Sequence, residues 1–297
     1  YNGLNEPLGK SQILPYIKLI NNEYKLNIIS FENNLSSNDS DFLNKELKKL
    51  DINWIVYKRY KNKIILNIIS FLKAFFYVSY LVLNKKINII HARSFVPASL
   101  SIIVKIFFRK VKIIYDIRGF WIDEKVDRLK FKKGFVYYLL KKIDKYSYYN
   151  SDHIIFLTHN SFKIINEKYF RSKLTNYSII PTCADKNIFY PINKINKNKI
   201  INLCYMGSIS KAYNFVKILR YFSQIITLNS NFRLVIINKG DHYEIIEKLN
   251  LYKIPKEKYE LISLNRDDLN KKLNEIDLGI FYANKNYSIQ ASFPTRI

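Results

Sequence analysis

The sequence predicts an α/β fold of two doubly wound domains, each built on a parallel sheet. Three observations predict it. Short β-branched runs alternate with helix-length amphipathic segments along the whole chain, in two successive series. Most of these runs are almost continuously apolar, the pattern of strands covered by helices on both faces. A polar run, Asn193–Lys199 (NKINKNK), reached through Pro181-Thr-Cys-Ala-Asp185 and Pro191, separates the two series as a linker would. The expected domains are therefore 1–190 and 200–297, joined by 191–199.

In the first series the candidate strands are Leu26–Ser30, Trp54–Tyr57, Ile87–His91, Val111–Asp116, His153–Leu157 and Tyr177–Ile180. The second series offers Ile200–Met206, Phe232–Ile237, Tyr259–Ile262 and Leu278–Phe281. The segments between them carry the helical period. Ile13, Tyr16, Ile17 and Ile20 fall at i, i+3, i+4 and i+7 and predict one buried stripe. Phe131, Phe135, Leu139, Ile143 and Tyr146 predict a second, with Lys132, Lys133, Lys142 and Lys145 off that face.

Composition narrows the class of protein. Of 297 residues 48% are hydrophobic, ample for buried cores. The two cysteines, Cys183 and Cys204, form no disulfide or zinc pattern, which points to a reducing, cytoplasmic setting. The chain starts at Tyr1 with no charged-then-apolar leader, and this start is expected not to be the natural one. Lys and Arg number 49 against 24 Asp and Glu, a net +25 that favours anionic partners. A diffuse Lys/Asn/Ile/Tyr bias with only 7 Gly and 7 Pro competes as a purely compositional cause. Ile64–Leu83 has the length of a membrane span. Lys73 at its centre, and its place between two strands, favour a buried or surface-docked helix.

Several motifs fall where such folds bind ligands. Gly9-Lys10-Ser11 ends like a phosphate-binding P-loop, but Leu4 stands where that motif needs its first Gly. What remains is a Gly that permits close backbone approach and a Ser able to cap the following helix, whose N–H groups could face an anion. An ordinary helix cap is the competing reading. Asp39-Ser40-Asp41 has metal-binding spacing but lies in a polar loop rather than after a strand, and carboxylates at a helix start, favoured by the helix dipole, are the competing reading. His91-Ala-Arg93-Ser94 follows one candidate strand. Asp116-Ile-Arg118-Gly119-Phe-Trp121-Ile-Asp123-Glu124 follows the next. Both sit at C-terminal strand ends, where open α/β sheets bind ligands. A structural Asp–Arg pair at a helix start is the alternative for the second. Gly207-Ser208, with Lys211 just beyond, closes the first strand of the second series, where a phosphate could sit. His153, His159 and His242 carry no nucleophile signature and read as structural.

Taken in order, these stretches resemble the retaining GT-B glycosyltransferases of family four, which assemble bacterial surface polysaccharides. The resemblance rests on Asn2–Pro15 (NGLNEPLGKSQILP), His91–Ser94, Tyr115–Asp127 (YDIRGFWIDEKVD), Ser151–Thr158 (SDHIIFLT), Ile179–Asp185 (IIPTCAD), Tyr205–Ser208 (YMGS) and Ser292–Ile297 (SFPTRI). It implies two Rossmann-like domains and transfer of a sugar from a nucleotide-sugar donor to a glycan or lipid-linked acceptor, with retention. It implies no cofactor and no obligatory metal. Against the family's layout the first strand is expected to be missing. The chain also stops before the ribose-gripping glutamate, so the fragment itself is expected to be inactive.

The resemblance makes Gly9, Lys10, Ser11, Gly207, Ser208, Lys211 and Arg296 the candidates for the donor's diphosphate, Arg296 by its place in the SFPT-Lys/Arg motif. Arg118 is expected to stabilise charge and Asp116 to orient it or touch sugar hydroxyls, with Asp123 and Glu124 positioning the acceptor. Two departures stand out: Ser208 occupies a place where many relatives have Arg, and Asp116 and Arg118 stand where many use a His. A nucleotide-sugar epimerase of the same fold is one alternative. A basic nucleic-acid or membrane-surface binding protein is another, though the aromatic residues fall on helix stripes rather than in a stacking array. The expectation is no nucleic acid. A peripheral position at the inner membrane face is expected instead, with the Lys-rich helix 128–149 against anionic lipid.

Overall fold

A computed structural model of the chain describes residues 3–33, 37–128, 132–192, 200–209 and 214–292. It divides into two compact units, Tyr1–Ile122 with Lys132–Pro181, and Asp123–Phe131 with Thr182–Ile297. All ten candidate strands are present, each displaced by a few residues at most.

The first unit begins with a π-helical turn, Gly9–Ile13, that runs into α1 (Leu14–Ile20). There follow β1 (Asn27–Glu32), α2 (Ser37–Lys49), β2 (Asn53–Lys58), α3 (Ile64–Leu83), β3 (Ile89–Arg93), α4 (Phe95–Phe107) and β4 (Lys112–Ile117). Next come α5 (Trp121–Asp127), which straddles the division, α6 (Phe135–Asn150), β5 (His153–Phe156), α7 (His159–Phe170) and β6 (Tyr177–Ile179). β1 and β2 pair in parallel; β3-β4-β5-β6 form a second parallel sheet.

The alternation of strand side chains shows why both faces are apolar. Ile28, Trp54 and Val56 pack with Leu14, Ile17, Leu43 and Leu47 from α1 and α2. Their neighbours Ile29, Phe31 and Tyr57 turn the other way, onto Ala74 and Val78 of α3 and Leu100 and Val104 of α4. Each face must exclude water, so each strand reads as one apolar run.

The second unit carries β7 (Ile201–Met206), α8 (Phe215–Leu228), β8 (Phe232–Ile237), α9 (His242–Leu251), β9 (Tyr259–Ile262), α10 (Arg266–Leu273) and β10 (Leu278–Gly279). Its parallel sheet has the order β10-β7-β8-β9, so the strand order reverses between β7 and β10. Leu203, Tyr205, Leu234 and Ile236 face α8 and α9. Cys204, Val235 and Ile237 face Leu269 and Leu273 of α10. The sheet is thus doubly wound here as well. Residues 190–192, at the edge of the expected linker, are tied to α10: Tyr190 N donates to Asn270 Oδ1 at 3.1 Å and Ile192 N to Asn274 Oδ1 at 2.6 Å. The polar run 193–199 lies outside the described residues.

Three sequence expectations are corrected. The stripe on α1 is rotated: Leu14 and Ile17 are buried, while Tyr16 points out of the core. On α6 the predicted core stripe is the outer face, with Phe135 83% exposed and Leu139, Ile143 and Tyr146 also exposed. What α6 buries instead is Asp144, Ser147 and Tyr148. Tyr115 and Tyr148 each donate to Asp144 at 2.8 Å, so a satisfied polar network, invisible to apolar periodicity, sets the helix rotation. The third is Asp39-Ser40-Asp41, which starts α2 rather than occupying a loop.

Candidate functional site

The site grows from the C-terminal ends of β3 and β4, where parallel pairing sets Arg93 opposite Asp116. The Asp116 side chain is 4% exposed. Its Oδ2 receives Arg93 Nη1 at 3.2 Å and faces His91 Nε2 at 3.7 Å. Its Oδ1 faces Arg118 Nη1 at 3.5 Å and accepts no hydrogen bond. From the π-helical turn, Gln12 Oε1 accepts Arg93 Nη2 at 2.8 Å and Arg118 Nη2 at 3.5 Å. Tyr16 on α1 places its hydroxyl 3.3 Å from His91 Nδ1. Five side chains, Gln12, Tyr16, His91, Arg93 and Arg118, thus gather around one buried carboxylate.

The electrostatics follow from this packing. Burial pushes the Asp116 carboxyl up, but His91, Arg118 and Arg93 outweigh it and hold the group below its ordinary range. Burial, then the like charge of Arg118, pulls Arg93 down to about 10, so it stays cationic at neutral pH. Burial also raises Tyr16, with Asp116 adding to the effect.

Local backbone geometry brings these groups together. Ser94 N donates to Asp116 O at 2.8 Å across the strand ends, and Ser94 sits at φ 77°, ψ 172°. Gly119 closes the turn after β4 at φ 146°, which a side chain would resist. Gly9 is also required, for a different reason than an anion. A Cβ there would lie 2.4 Å from the carbonyl oxygens of Gly3 and Leu4. Ahead of it, the N–H groups of Leu4 and Asn5 point at the chain's own buried Glu32, at 2.6 and 3.4 Å. Ser11 donates back to Leu8 O at 3.5 Å and caps no helix. Lys10 lies exposed on the same turn.

Asp123 and Glu124 belong to the second unit's segment of α5. Asp123 is buried. Burial raises the Glu124 carboxyl, against the lowering pull of Arg128, whose Nη2 is 3.6 Å away. Asp127 of this segment accepts Ser288 N at 3.1 Å.

In the second unit Gly207 ends β7 at φ 119°, beside the point where strand order reverses. The buried Asn238 fixes this turn. Its Nδ2 donates to Gly207 O at 2.9 Å, and its Oδ1 accepts the N–H groups of Gly240 and Asp241 at 2.9 and 2.7 Å. Ser208 is exposed, with its carbonyl accepting Tyr205 OH at 2.7 Å. Asn214 caps α8, and Lys217 on its first turn donates to Tyr282 OH at 2.9 Å after β10. Lys211 and Arg296 lie outside the described residues. Among the described residues no three His, Cys, Asp or Glu side chains gather as a metal site.

Sequence reasoning found Asp116 and Arg118. His91 and Arg93 stand in the sequence motif without an assigned role, and Gln12, Tyr16, Asn238 and the Lys217–Tyr282 pair are added by the structure. His91 and Arg93 were within reach, since they end a strand adjacent to β4.

No family model matches the sequence, and no curated protein does. Solved structures do. The sucrose-phosphate synthase of Thermosynechococcus elongatus superposes with a TM-score of 0.63 at 12% identity, over 92% of this chain and 70% of that one. A Listeria monocytogenes protein assigned as a UDP-N-acetylglucosamine 2-epimerase gives 0.54 at 10%, over 94% and 72%. The lipopolysaccharide outer core galactosyltransferase WaaB, in its apo form, gives 0.52 at 10%, over 88% and 74%. The fold is therefore the Rossmann-like α/β type of the GT-B glycosyltransferases. At such identities the likeness speaks for fold alone.

Proposed function

We propose that the chain is a glycosyltransferase of the retaining, hexosyl-transferring kind, moving a sugar from a nucleotide-sugar donor to a glycan or lipid-linked acceptor. The observation that carries this reading is the buried Asp116 held among Arg93, Arg118 and His91 at the C-terminal ends of β3 and β4. Such transfer must stabilise a departing diphosphate beside an oxocarbenium-like sugar, and pre-set cations do so without reorganising. Arg93 and Arg118 are cations fixed by Asp116 and Gln12 before any ligand arrives. Asp116 Oδ1 accepts no hydrogen bond and is an acceptor for a sugar hydroxyl. In this reading Gly207, Ser208, Lys211 and Arg296 hold the diphosphate, while Asp123 and Glu124 position the acceptor. No metal is required, and nucleic acid is not a partner. The enzyme works in the cytoplasm at the inner membrane face, in envelope polysaccharide synthesis.

The test is a thermal-shift screen of UDP-, GDP- and ADP-sugars on the full-length protein, followed by turnover with and without added acceptor. One donor should raise Tm by several degrees, as about 2–4 kcal/mol of linkage implies. Consumption should require acceptor and fall by about 100-fold in Arg118→Met, the size typical of a lost electrostatic stabiliser. Conversion of the donor without acceptor would install the epimerase reading. No donor shift, together with salt-dependent DNA affinity, would install nucleic-acid binding.

A further inference from the structure

We infer that the outer face of α3, continued by the exposed Phe107 of α4, docks on an anionic lipid bilayer. The inference concerns the first unit's surface alone and stands whether or not the chain transfers sugar.

The helix α3 is apolar on two opposite faces. Ser70, Ala74, Val78 and Leu81 are buried against the unit. On the other side Ile65, Ile69, Leu72, Phe76 and Leu83 all point outward, Phe76 67% and Leu83 68% exposed. At 100° per residue these five fall within about 60° of arc, and Lys73 stands at the edge of the face rather than on it. A surface helix ordinarily puts its charges opposite its buried stripe. Here that position is filled by large aliphatic and aromatic groups.

The surface does not stop at α3. The helix α4 packs between α3 and α6. Its Phe107, 68% exposed, lies 6.1 Å from Phe75, which in turn lies 5.3 Å from Phe76. On α6, the Phe135–Leu139–Ile143–Tyr146 stripe adds to the exposed apolar area. The exposed apolar surface that runs from α3 onto Phe107 marks an interaction site rather than ordinary exposure.

Charge identifies the occupant. From residue 52 to residue 115 the chain carries twelve Lys and Arg and not one Asp or Glu. With 24 acidic residues in 297, a stretch of this length would hold about five by composition alone. Compositional bias toward Lys does not remove carboxylates from one segment only. Lys61 and Lys63 precede α3, Lys85 and Lys86 follow it, and Arg109 and Lys110 follow α4. Cations therefore flank both ends of an apolar face about 30 Å long. That is the pattern of a helix lying in the headgroup–acyl boundary, with cations at the level of the phosphates. A second copy docked face to face would bring these cations against each other, which charge opposes.

The helix does not cross the bilayer in this arrangement. Asn67 clamps the backbone of Tyr60, accepting its N–H at 2.9 Å and donating to its carbonyl at 2.8 Å. Ser70 donates to Lys58 O at 2.9 Å and Tyr57 OH to Lys73 O at 3.3 Å. These bonds hold the buried face of α3 to the end of β2.

The experiment is co-sedimentation of the full-length protein with vesicles of phosphatidylcholine alone and mixed with phosphatidylglycerol. Binding should rise with phosphatidylglycerol and fall with salt. The double substitution Leu72→Ser, Phe76→Ser should weaken it about tenfold or more while leaving circular dichroism and melting unchanged. Leu228→Ser, at a position still more exposed on α8 of the second unit, should not weaken it. Phe76→Trp, which keeps the face apolar, should be quenched by brominated lipid beyond the native Trp54 and Trp121. Full binding by the double variant, an unquenched Phe76→Trp, or no anionic-lipid dependence would each overturn the inference. So would a wild-type dimer that the double substitution converts to monomer, since a second copy would then cover the face.

Discussion

The two units end their parallel strands in different ways. In the first, the strand ends converge on charge: one buried carboxylate, two guanidiniums and an imidazole, with Gln12 closing the set. In the second, the turn after β7 is held by a neutral carboxamide, Asn238, which bonds three backbone groups and, at 3.1 Å, the Asp241 carboxylate. Both sites contain a glycine at positive φ, so backbone turning is shared and electrostatics is not. A charged cluster responds to pH and can stabilise developing charge. A carboxamide cradle fixes the shape of backbone donors, and Asn238 itself carries no charge to titrate.

The contrast is broken most severely at Asp116. Replacing it with Asn leaves Arg93 and Arg118 facing one another without their counter-charge, which should cost about 3–5 kcal/mol, as for other buried pairs that lose one partner. The pH dependence carries a sign. The folded carboxyl lies below its ordinary 3.8, because the neighbouring cations outweigh burial. Its stabilisation is therefore present above 3.8 and lost as pH falls through the folded value. Urea unfolding should show a gap between wild type and Asp116→Asn at neutral pH that closes in acid below 3.8. A gap that persists unchanged there would mean the carboxylate is not what holds the cluster.

Asn238→Ala attacks the other side of the comparison. It strips a partner from Gly207 O, Gly240 N and Asp241 N at once, with Asn238 itself buried. At 1–3 kcal/mol for each buried group left unsatisfied, less what water recovers, the loss should be about 2–4 kcal/mol. Unlike the loss at Asp116, most of it should persist in acid, because of the side chain's four bonds only the one to Asp241 Oδ2 involves a carboxylate. A strong pH dependence would erase the distinction between a charged and a neutral site.

The sequence made the scaffold legible because burial on both sheet faces writes continuous apolar runs, and each of the ten did become a strand. Helix rotation was less legible. On α6 the apolar stripe read as core, yet Asp144 bonded to Tyr115 and Tyr148 turned that stripe outward. Period alone does not distinguish a core face from a docking face. Half the site was legible too, since Asp116 and Arg118 follow a strand directly. Gln12 was not, because its pairing with Arg93 spans 81 positions, and only the fold supplies that contact. Asn238 shows locally only as a turn residue bonded to Gly240 and Asp241; its hold on Gly207, 31 residues away, is supplied by the fold.

The smallest effect is expected at Ser94, and it separates shape from chemistry within the charged site. At φ 77°, ψ 172° this residue occupies a region nearly exclusive to glycine, at a cost of about 1–3 kcal/mol. Ser94→Gly should relieve that strain, while the added freedom of glycine in the unfolded chain returns about 0.5–1 kcal/mol. The net expectation is a gain of about 1 kcal/mol, read as a Tm a few degrees higher. The Ser94 N–H bond to Asp116 O survives the change, so the strand ends stay paired. What would be lost is only the side chain and the stiffness of the turn that leads into α4. If turnover of the full-length protein falls while stability rises, the strain is holding the cluster in its working geometry. If both rise or turnover is unchanged, the first unit depends on its charges alone. If stability falls, the turn is not strained, and the Ser94 side chain contributes more than its geometry indicates.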